Sequence, residues 1–347
     1  MEQLDLHPRI SSALRRSSTG HLRSVRDVLS LSGPDLQRLT GLSRSDVQQL
    51  LTAAATACRR RPPVPALLIH RGESPGFESG LRLSLGCPVL DRLLRGGLPA
   101  AGITELSGES AAGKTQLALQ LCLSVQYPAQ YHGLNSGAVF ICTEDSFPVR
   151  RLQQLIRGQS VLRSDVPPAL IHSLRFSDHV YVEHAADLDA LQVCLSRRVP
   201  VLLARRLVRL LVVDSVAALF RSEFTASDWL LRNQQLISFS SRLKHLSTEF
   251  NIPVLCINQV TDVFSSDDSF GSPSPAVSPA LGLAWANQVL VRLMMRRVGG
   301  VASRGAQSSA LRRLEVVFAP HLAPGGRDAA VWTEGVQGLP PDSQSPQ

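Results

Sequence analysis

Eight consecutive residues, Gly108-Glu109-Ser110-Ala111-Ala112-Gly113-Lys114-Thr115, satisfy the pattern G-x-x-x-x-G-K-[ST] at every fixed position. Their surroundings are those the pattern needs. An apolar run at 103–106 enters the octet, and the segment leaving it carries Leu117, Leu119, Leu121, Leu123 and Val125, so a buried strand turns through a glycine-rich loop into a helix. Such a loop bends its backbone amides around a phosphate. The plainer alternative, a solvated glycine turn, does not require a strand before it and a helix after it. Of 36 basic residues the only lysines are Lys114 and Lys244, the rest being arginine, which singles out the lysine in the loop.

The chain after residue 83 alternates short apolar runs with amphipathic segments. Runs at 103–106, 138–142, 180–182, 210–213 and 254–257 read as buried strands, nearly continuous in apolar character as parallel strands are. Between the last two, Leu236, Phe239, Leu243, Leu246 and Phe250 recur at three and four residues and make one helix face. Repeated β-α-β units predict an α/β fold with a doubly wound, mainly parallel sheet. Runs at 289–295 and 311–318, with a Gly/Ser-rich break between them, predict an added antiparallel hairpin.

Three strand ends carry polar groups suited to phosphate chemistry. Asp214 closes an apolar strand, where a carboxylate can sit beside Mg²⁺ at the carboxyl edge of the sheet; an alternative is that it caps the next helix. Glu144 follows another strand and can polarise an attacking water, while Asp145 or Ser146 is available for capping. After the strand at 254–257 come Asn258 and Gln259, and an amide there can bond a terminal phosphate.

Residues 1–57 have a helical pattern without strand signals. Gly41 separates two helices, and Ser43 or Ser45 can cap the second, leaving amides that either dock a phosphate or only pack as a helical hairpin. Residues 58–82, with Arg59-Arg60-Arg61-Pro62-Pro63, read as a linker, and 339–347 as a disordered tail. The net charge of +8 fits a polyanionic partner as well as ordinary solubility. Six dispersed cysteines without a C-x-x-C pair suggest a reduced, intracellular protein. The apolar run at 207–220 is broken by Arg209 and Asp214, well short of the roughly 20 apolar residues of a membrane span, and Glu2 and Asp5 argue against a secretory leader.

The phosphate loop, Thr143-Glu144, the strand ending at Asp214, and Asn258-Gln259 occur in the order and spacing of the RecA-type strand-exchange ATPases. With its helical amino end and linker, the chain resembles the eukaryotic recombinase paralogues of that family over about residues 20–338. The resemblance implies a RecA-like core at 83–338, ATP and Mg²⁺ as cofactors, Lys114 on the β- and γ-phosphates, and Thr115 and Asp214 as holders of the metal. It implies Glu144 as hydrolytic base and Gln259 as γ-phosphate sensor. Segments 221–233 and 260–282 become DNA-facing loops, with Arg221 and Arg232 as candidate contacts or else solvated side chains. Residues 64–70 become a strand that docks on a neighbouring subunit.

Three departures stand out. Small residues lie between Ala111 and Gly113, where family members carry an arginine near the base; Phe318 and Ala319 replace an acidic cap; and residues 261–281 hold Asp262, Asp267, Asp268 and three prolines but no Lys or Arg, poor chemistry for tracking phosphates. These favour an ATP-binding subunit of a paralogue complex in homologous recombination repair, with at most weak DNA-dependent ATPase activity, over a self-sufficient filament-forming recombinase. Implied partners are another recombinase paralogue, as a heterodimer with a C-type paralogue, the main recombinase, and single-stranded or branched DNA, in the nucleus and also the cytoplasm. A P-loop kinase or transport ATPase would need a phosphoacceptor pocket or membrane-coupling elements, which the sequence does not offer.

Overall fold

The computed structural model describes residues 8–16, 25–58, 64–71, 73, 80–262 and 277–340. The chain divides into two compact units, Met1–Ser79 and Gly80–Gln347. The arginine run at 59–61, the middle of the acidic second loop at 263–276 and the tail from 341 lie outside the described residues.

The amino unit is helical, with helices at Pro8–Arg16, Val25–Leu29, Gly33–Thr40 and Arg44–Cys58. Ile10, Val28, Leu36, Val47, Leu50 and Ala54 form its core. Gly41 takes φ +67° and its amide bonds the Gln37 carbonyl at 2.9 Å, a left-handed stop that side-chain-bearing residues reach only with strain. Ser43 caps the next helix, its Oγ accepting from the Asp46 amide at 3.2 Å and donating to the Asp46 carboxylate at 2.7 Å. A carboxylate thus sits at the turn where the sequence left a phosphate site open. The docking strand expected at 64–70 is instead a short helix, Ala66–His70, in which the Pro65 carbonyl accepts from the Leu68 amide at 3.0 Å. Pro65 stands at the N-cap, just outside the helix, and Ala66, Leu67 and Leu68 are good helix formers.

Among its described residues the second unit has thirteen strands: β1 (Arg82–Leu83), β2 (Leu98–Pro99), β3 (Ile103–Gly108), β4 (Gly137–Cys142), β5 (Val180–His184), β6 (Val208–Asp214), β7 (Val254–Ile257), β8 (Val260–Asp262), β9 (Val277–Pro279), β10 (Val291–Arg304), β11 (Gln307–Phe318), β12 (Gly325–Val331) and β13 (Val336–Gly338). Nine of them form one sheet in the order β13-β12-β11-β10-β3-β7-β6-β4-β5, parallel from β10 to β5 and antiparallel from β10 to β13. Successive residues of the central strands feed two different cores. Ala138, Phe140, Leu210, Val212, Leu255 and Ile257 face one, whereas Val139, Ile141, Leu211, Val213, Val254 and Cys256 face the other. Burial on both faces is why these strands read as unbroken apolar runs.

The hairpin β10–β11 is longer than the two runs that announced it. Gly299 and Gly300 do not end the strand, because the pairing shifts register between Arg297 and Val301 and absorbs them as a bulge. The segment at 260–282, expected to become the second DNA-facing loop, begins and ends as a small ladder, β8 against β9. The segment at 221–233, expected to become the first, is mostly helical: Val216–Ser222, the single turn Ala226–Asp228 and the long helix Trp229–Phe250 cover all but three of its residues.

A carboxylate lies in the middle of this sheet. Glu105 of β3 is fully buried and accepts from Asn258 Nδ2 at 2.6 Å, from Trp285 Nε1 at 3.0 Å and from Arg292 Nε of β10. Removing the only cation from a buried pair leaves an uncompensated charge, so Arg292→Met should destabilise the protein by about 3 kcal/mol. The double variant Glu105→Gln with Arg292→Met should recover much of that in urea unfolding; equal stability of single variant and wild type would show that the pair contributes nothing.

Candidate functional site

Register brings the predicted groups together. Across adjacent parallel strands, Cys142 pairs with Asp214, Asp214 with Ile257, and Ile257 with Leu106. The residues just beyond these positions therefore leave the sheet at one edge. They are the octet after β3, Glu144 after β4, Asp214 itself, and Gln259 after β7.

Glycine is required at the start of the octet, since a Cβ on Gly108 would lie 2.1 Å from the Met295 carbonyl oxygen of β10. Gly113, at φ +107°, opens the helix Lys114–Ser124. Lys114 Nζ donates to the carbonyls of Gly108 and Glu109, both at 2.7 Å. Thr115 Oγ1 donates to Asp214 Oδ2 at 2.6 Å. Ser215 Oγ donates to Glu144 at 2.9 Å, and Gln259 Nε2 bonds both Glu144 oxygens at 3.0 and 3.1 Å. The capping alternatives do not hold: neither the helix after Asp214 nor the one after Glu144 has a side-chain cap bond.

A cavity of about 620 Å³ is lined by Gly108, Lys114, Thr115, Glu144, Asp214 and Gln259 among others. Burial lowers the pKa of Lys114, against the pull of Asp214, Glu144 and Glu109. Burial raises that of Asp214, aided by Glu144 and Asp145 and opposed by the Thr115 bond and Lys114. Cys142, at the same edge, is pushed up to about 11 by burial and the neighbouring carboxylates, so its thiol stays protonated. Both charged groups central to the cavity thus lack full compensation within the protein.

The two arginines proposed for DNA have partners. Arg221, on the helix Val216–Ser222, donates to Gln259 Oε1 at 2.5 Å, and Arg232 Nε donates to the Phe220 carbonyl at 3.3 Å. Asn258 is fixed from behind: its Nδ2 bonds Glu105 and the Ala280 carbonyl at 2.8 Å, and its Oδ1 accepts from the Gln259 amide at 2.8 Å.

With the geometry described, a family model for Rad51 matches residues 78–336, three quarters of the chain and the whole of this site. The chain belongs to the Rad51 family. A second model, for the XRCC3/RpoA-like helix-hairpin-helix domain, matches residues 1–58. Similar proteins include the DNA repair protein XRCC3 of Mus musculus, 51% identical over 345 residues and 98% of each chain, and that of Bos taurus, 52% identical over 340 residues and again 98% of each. An XRCC3 homolog of Arabidopsis thaliana is 35% identical over 282 residues, 74% of this chain and 92% of its own.

Rad51-family membership implies nucleotide binding, and the structure shows a second cavity that sequence patterns missed. It has about 670 Å³, shares Ala111, Lys114 and Thr115 with the first, and adds Gln116, Arg151, Gln154, Arg312, Trp332 and Thr333. Small residues stand at 111–113, where family members carry an arginine, and Arg151 and Arg312 reach this cavity from distant segments. Arg151 is fixed by Gln116 Oε1 at 2.5 Å and by the carbonyls of Trp332 and Thr333 at 2.8 and 2.9 Å. No local spacing in the sequence links these residues to the octet. Ser215 could have been found, since it directly follows the strand-terminal Asp214.

The folded-state pKa of Asp214 lies above its unfolded value, so its favourable contribution is complete below the ordinary carboxylate range and is lost as pH rises through the folded value. At neutral pH its ionised form is a cost to the fold. Asp214→Asn should therefore melt at or above the wild-type temperature near neutrality in nucleotide-free buffer, with the advantage shrinking as the pH falls toward the ordinary carboxylate value. A lower melting temperature at neutral pH would show the carboxylate to be stabilised instead.

Proposed function

We propose that the chain binds ATP with Mg²⁺ at the edge of the sheet and serves as a subunit of a recombinase-paralogue complex in homologous recombination repair of DNA. The observation that carries this reading is the set of placeholder bonds in the first cavity. Lys114 is held by loop carbonyls, Thr115 by Asp214, and Gln259 by Glu144. A triphosphate entering the loop offers Lys114 charged oxygens in place of neutral carbonyls, and offers Thr115 and Gln259 phosphate oxygens in place of the two carboxylates they hold.

The donor set also fits the metal. Thr115 Oγ1 and Asp214 Oδ2 are hard oxygens 2.6 Å apart, the second belonging to a carboxylate whose charge is poorly compensated. Among the described residues no cluster of three His, Cys, Asp or Glu side chains could hold an ion, which suits Mg²⁺, an ion that keeps waters and phosphate oxygens rather than an all-protein cage. Bound there, the ion would neutralise charge on the phosphates. Glu144 would orient and deprotonate the attacking water, and Gln259 would bond the γ-phosphate. Because Arg221 bonds Gln259, a DNA phosphate drawn to Arg221 would be felt at that amide.

The repair role rests on relatives described as DNA repair proteins along nearly their whole length. The partners that fit are a C-type paralogue in a heterodimer, the main recombinase, and single-stranded or branched DNA, in the nucleus and also the cytoplasm. The lack of Lys and Arg in 261–281 disfavours a self-sufficient filament. Lys114→Ala should weaken Mg–ATP binding by at least about tenfold, since the phosphates lose a charged hydrogen-bond donor. Calorimetry on the full chain checks this, and wild-type affinity in the variant would contradict the reading.

A further inference from the structure

The hairpin β10–β11 passes beside the phosphate loop, and two of its arginines face each other there: Arg297 and Arg312 are directly paired across the strands. Like charges directly opposite in a ladder destabilise it. The neighbouring pair, Arg296 and Arg313, is compensated by Glu315 at 3.0 and 3.3 Å and, for Arg313, by Asp328 at 2.8 Å. Arg297 reaches Glu109 of the octet at 3.4 Å. Arg312 has no carboxylate within ion-pair distance among the described residues. Its Nη1 donates to Ser309 Oγ at 3.1 Å and to the Ala310 carbonyl at 2.5 Å, while its buried Nε has no hydrogen-bond partner.

The stem of Arg312 lies against the loop, its Cδ 3.6 Å from where a Cβ of Gly113 would stand. Arg312 lines the second cavity together with Lys114, Thr115, Gln116 and Arg151. Burial and Arg297 hold its pKa below the usual guanidinium value, though a guanidinium remains charged at any pH a protein meets. A buried N–H without an acceptor, on a cation crowded by another cation, is a group whose unmet requirement is an anion.

We propose that Arg312 is a nucleotide-binding residue supplied by the chain's own hairpin, donating to the α-phosphate at the ribose side of the bound nucleotide. The inference rests on the nucleotide reading above. Glu144, Asp214 and Gln259 surround the first cavity, so the terminal phosphate belongs there; the α-phosphate, ribose and base then extend past Thr115 and Gln116 into the second. Arg151, each of whose three nitrogens already bonds a protein oxygen, forms a wall of that cavity. Arg312 has a donor to give.

The test compares binding of ATP and of ADP, each with Mg²⁺, to the full-length wild type, Arg312→Leu, Arg312→Lys and Lys114→Ala by calorimetry, with nucleotide-free melting temperatures alongside. A charged hydrogen bond lost from the α-phosphate should weaken ATP and ADP by the same factor, about 10- to 100-fold in Arg312→Leu, so that the ATP/ADP ratio stays at its wild-type value. Arg312→Lys should fall between, and it carries the comparison if the leucine variant does not fold. Without ligand, Arg312→Leu should melt no lower than wild type, since the crowding with Arg297 is relieved. Wild-type affinity in both Arg312 variants, with Lys114→Ala impaired, would overturn this inference and leave the phosphate site standing. A changed ATP/ADP ratio would place Arg312 on another phosphate and overturn it too. If wild type binds neither nucleotide, the nucleotide reading fails first and this inference with it.

Discussion

Parallel pairing of β3, β7, β6 and β4 is the constraint on which the site depends. Each ladder fixes its register through side chains buried in two cores, and a slip of one residue would exchange those cores for every strand involved. With register fixed, Leu106, Ile257, Asp214 and Cys142 stand in a row. Whatever follows them is delivered to the same edge. Lys114, Glu144, Asp214 and Gln259 are scattered over more than a hundred residues, yet they need no search in space to meet.

Behind that edge lies a polar support. Asn258 joins Glu105 in the middle of the sheet to the backbone of Gln259, and Trp285, which donates to the same carboxylate, stacks on Phe239 of the long helix at 5.9 Å. The position of the Gln259 amide is therefore set by buried groups. Its side chain bridges two charged neighbours, accepting from Arg221 and donating to Glu144. An amide held between a cation on one helix and the carboxylate beside the phosphate loop connects the surface expected to meet DNA with the chemistry below it.

Much of this was legible in the chain itself, for definite reasons. The octet is a local pattern whose backbone job demands glycine at fixed places. Strands buried on both faces leave unbroken apolar runs, and a carboxylate or amide ending such a run, as Asp214 and Gln259 do, stands out against them. What escaped was non-local or weakly patterned. β12 and β13 have sequences with little β preference, Gly-Gly-Arg-Asp-Ala-Ala-Val and Val-Gln-Gly, and form because β11 offers an open edge. The glycines of β10 read as a break because a bulge that absorbs them shows only in the pairing. Resemblance predicts a strand at 64–70, whereas the Ala and Leu residues after Pro65 form a helical turn within the chain. Arg151 and Arg312 approach the loop from segments whose proximity only the sheet order reveals.

The central claim is that one phosphate-bearing ligand is gripped at once by the octet and by the ends of three neighbouring strands. Hydrogen–deuterium exchange of the full chain, followed by mass spectrometry with and without a slowly hydrolysed ATP analogue and Mg²⁺, tests it most directly. Joint protection is expected of peptides covering 108–116, 142–146, 213–216 and 257–260, together with those spanning Arg312 and Trp332. Protection confined to the octet, or found only in the amino unit, would contradict it.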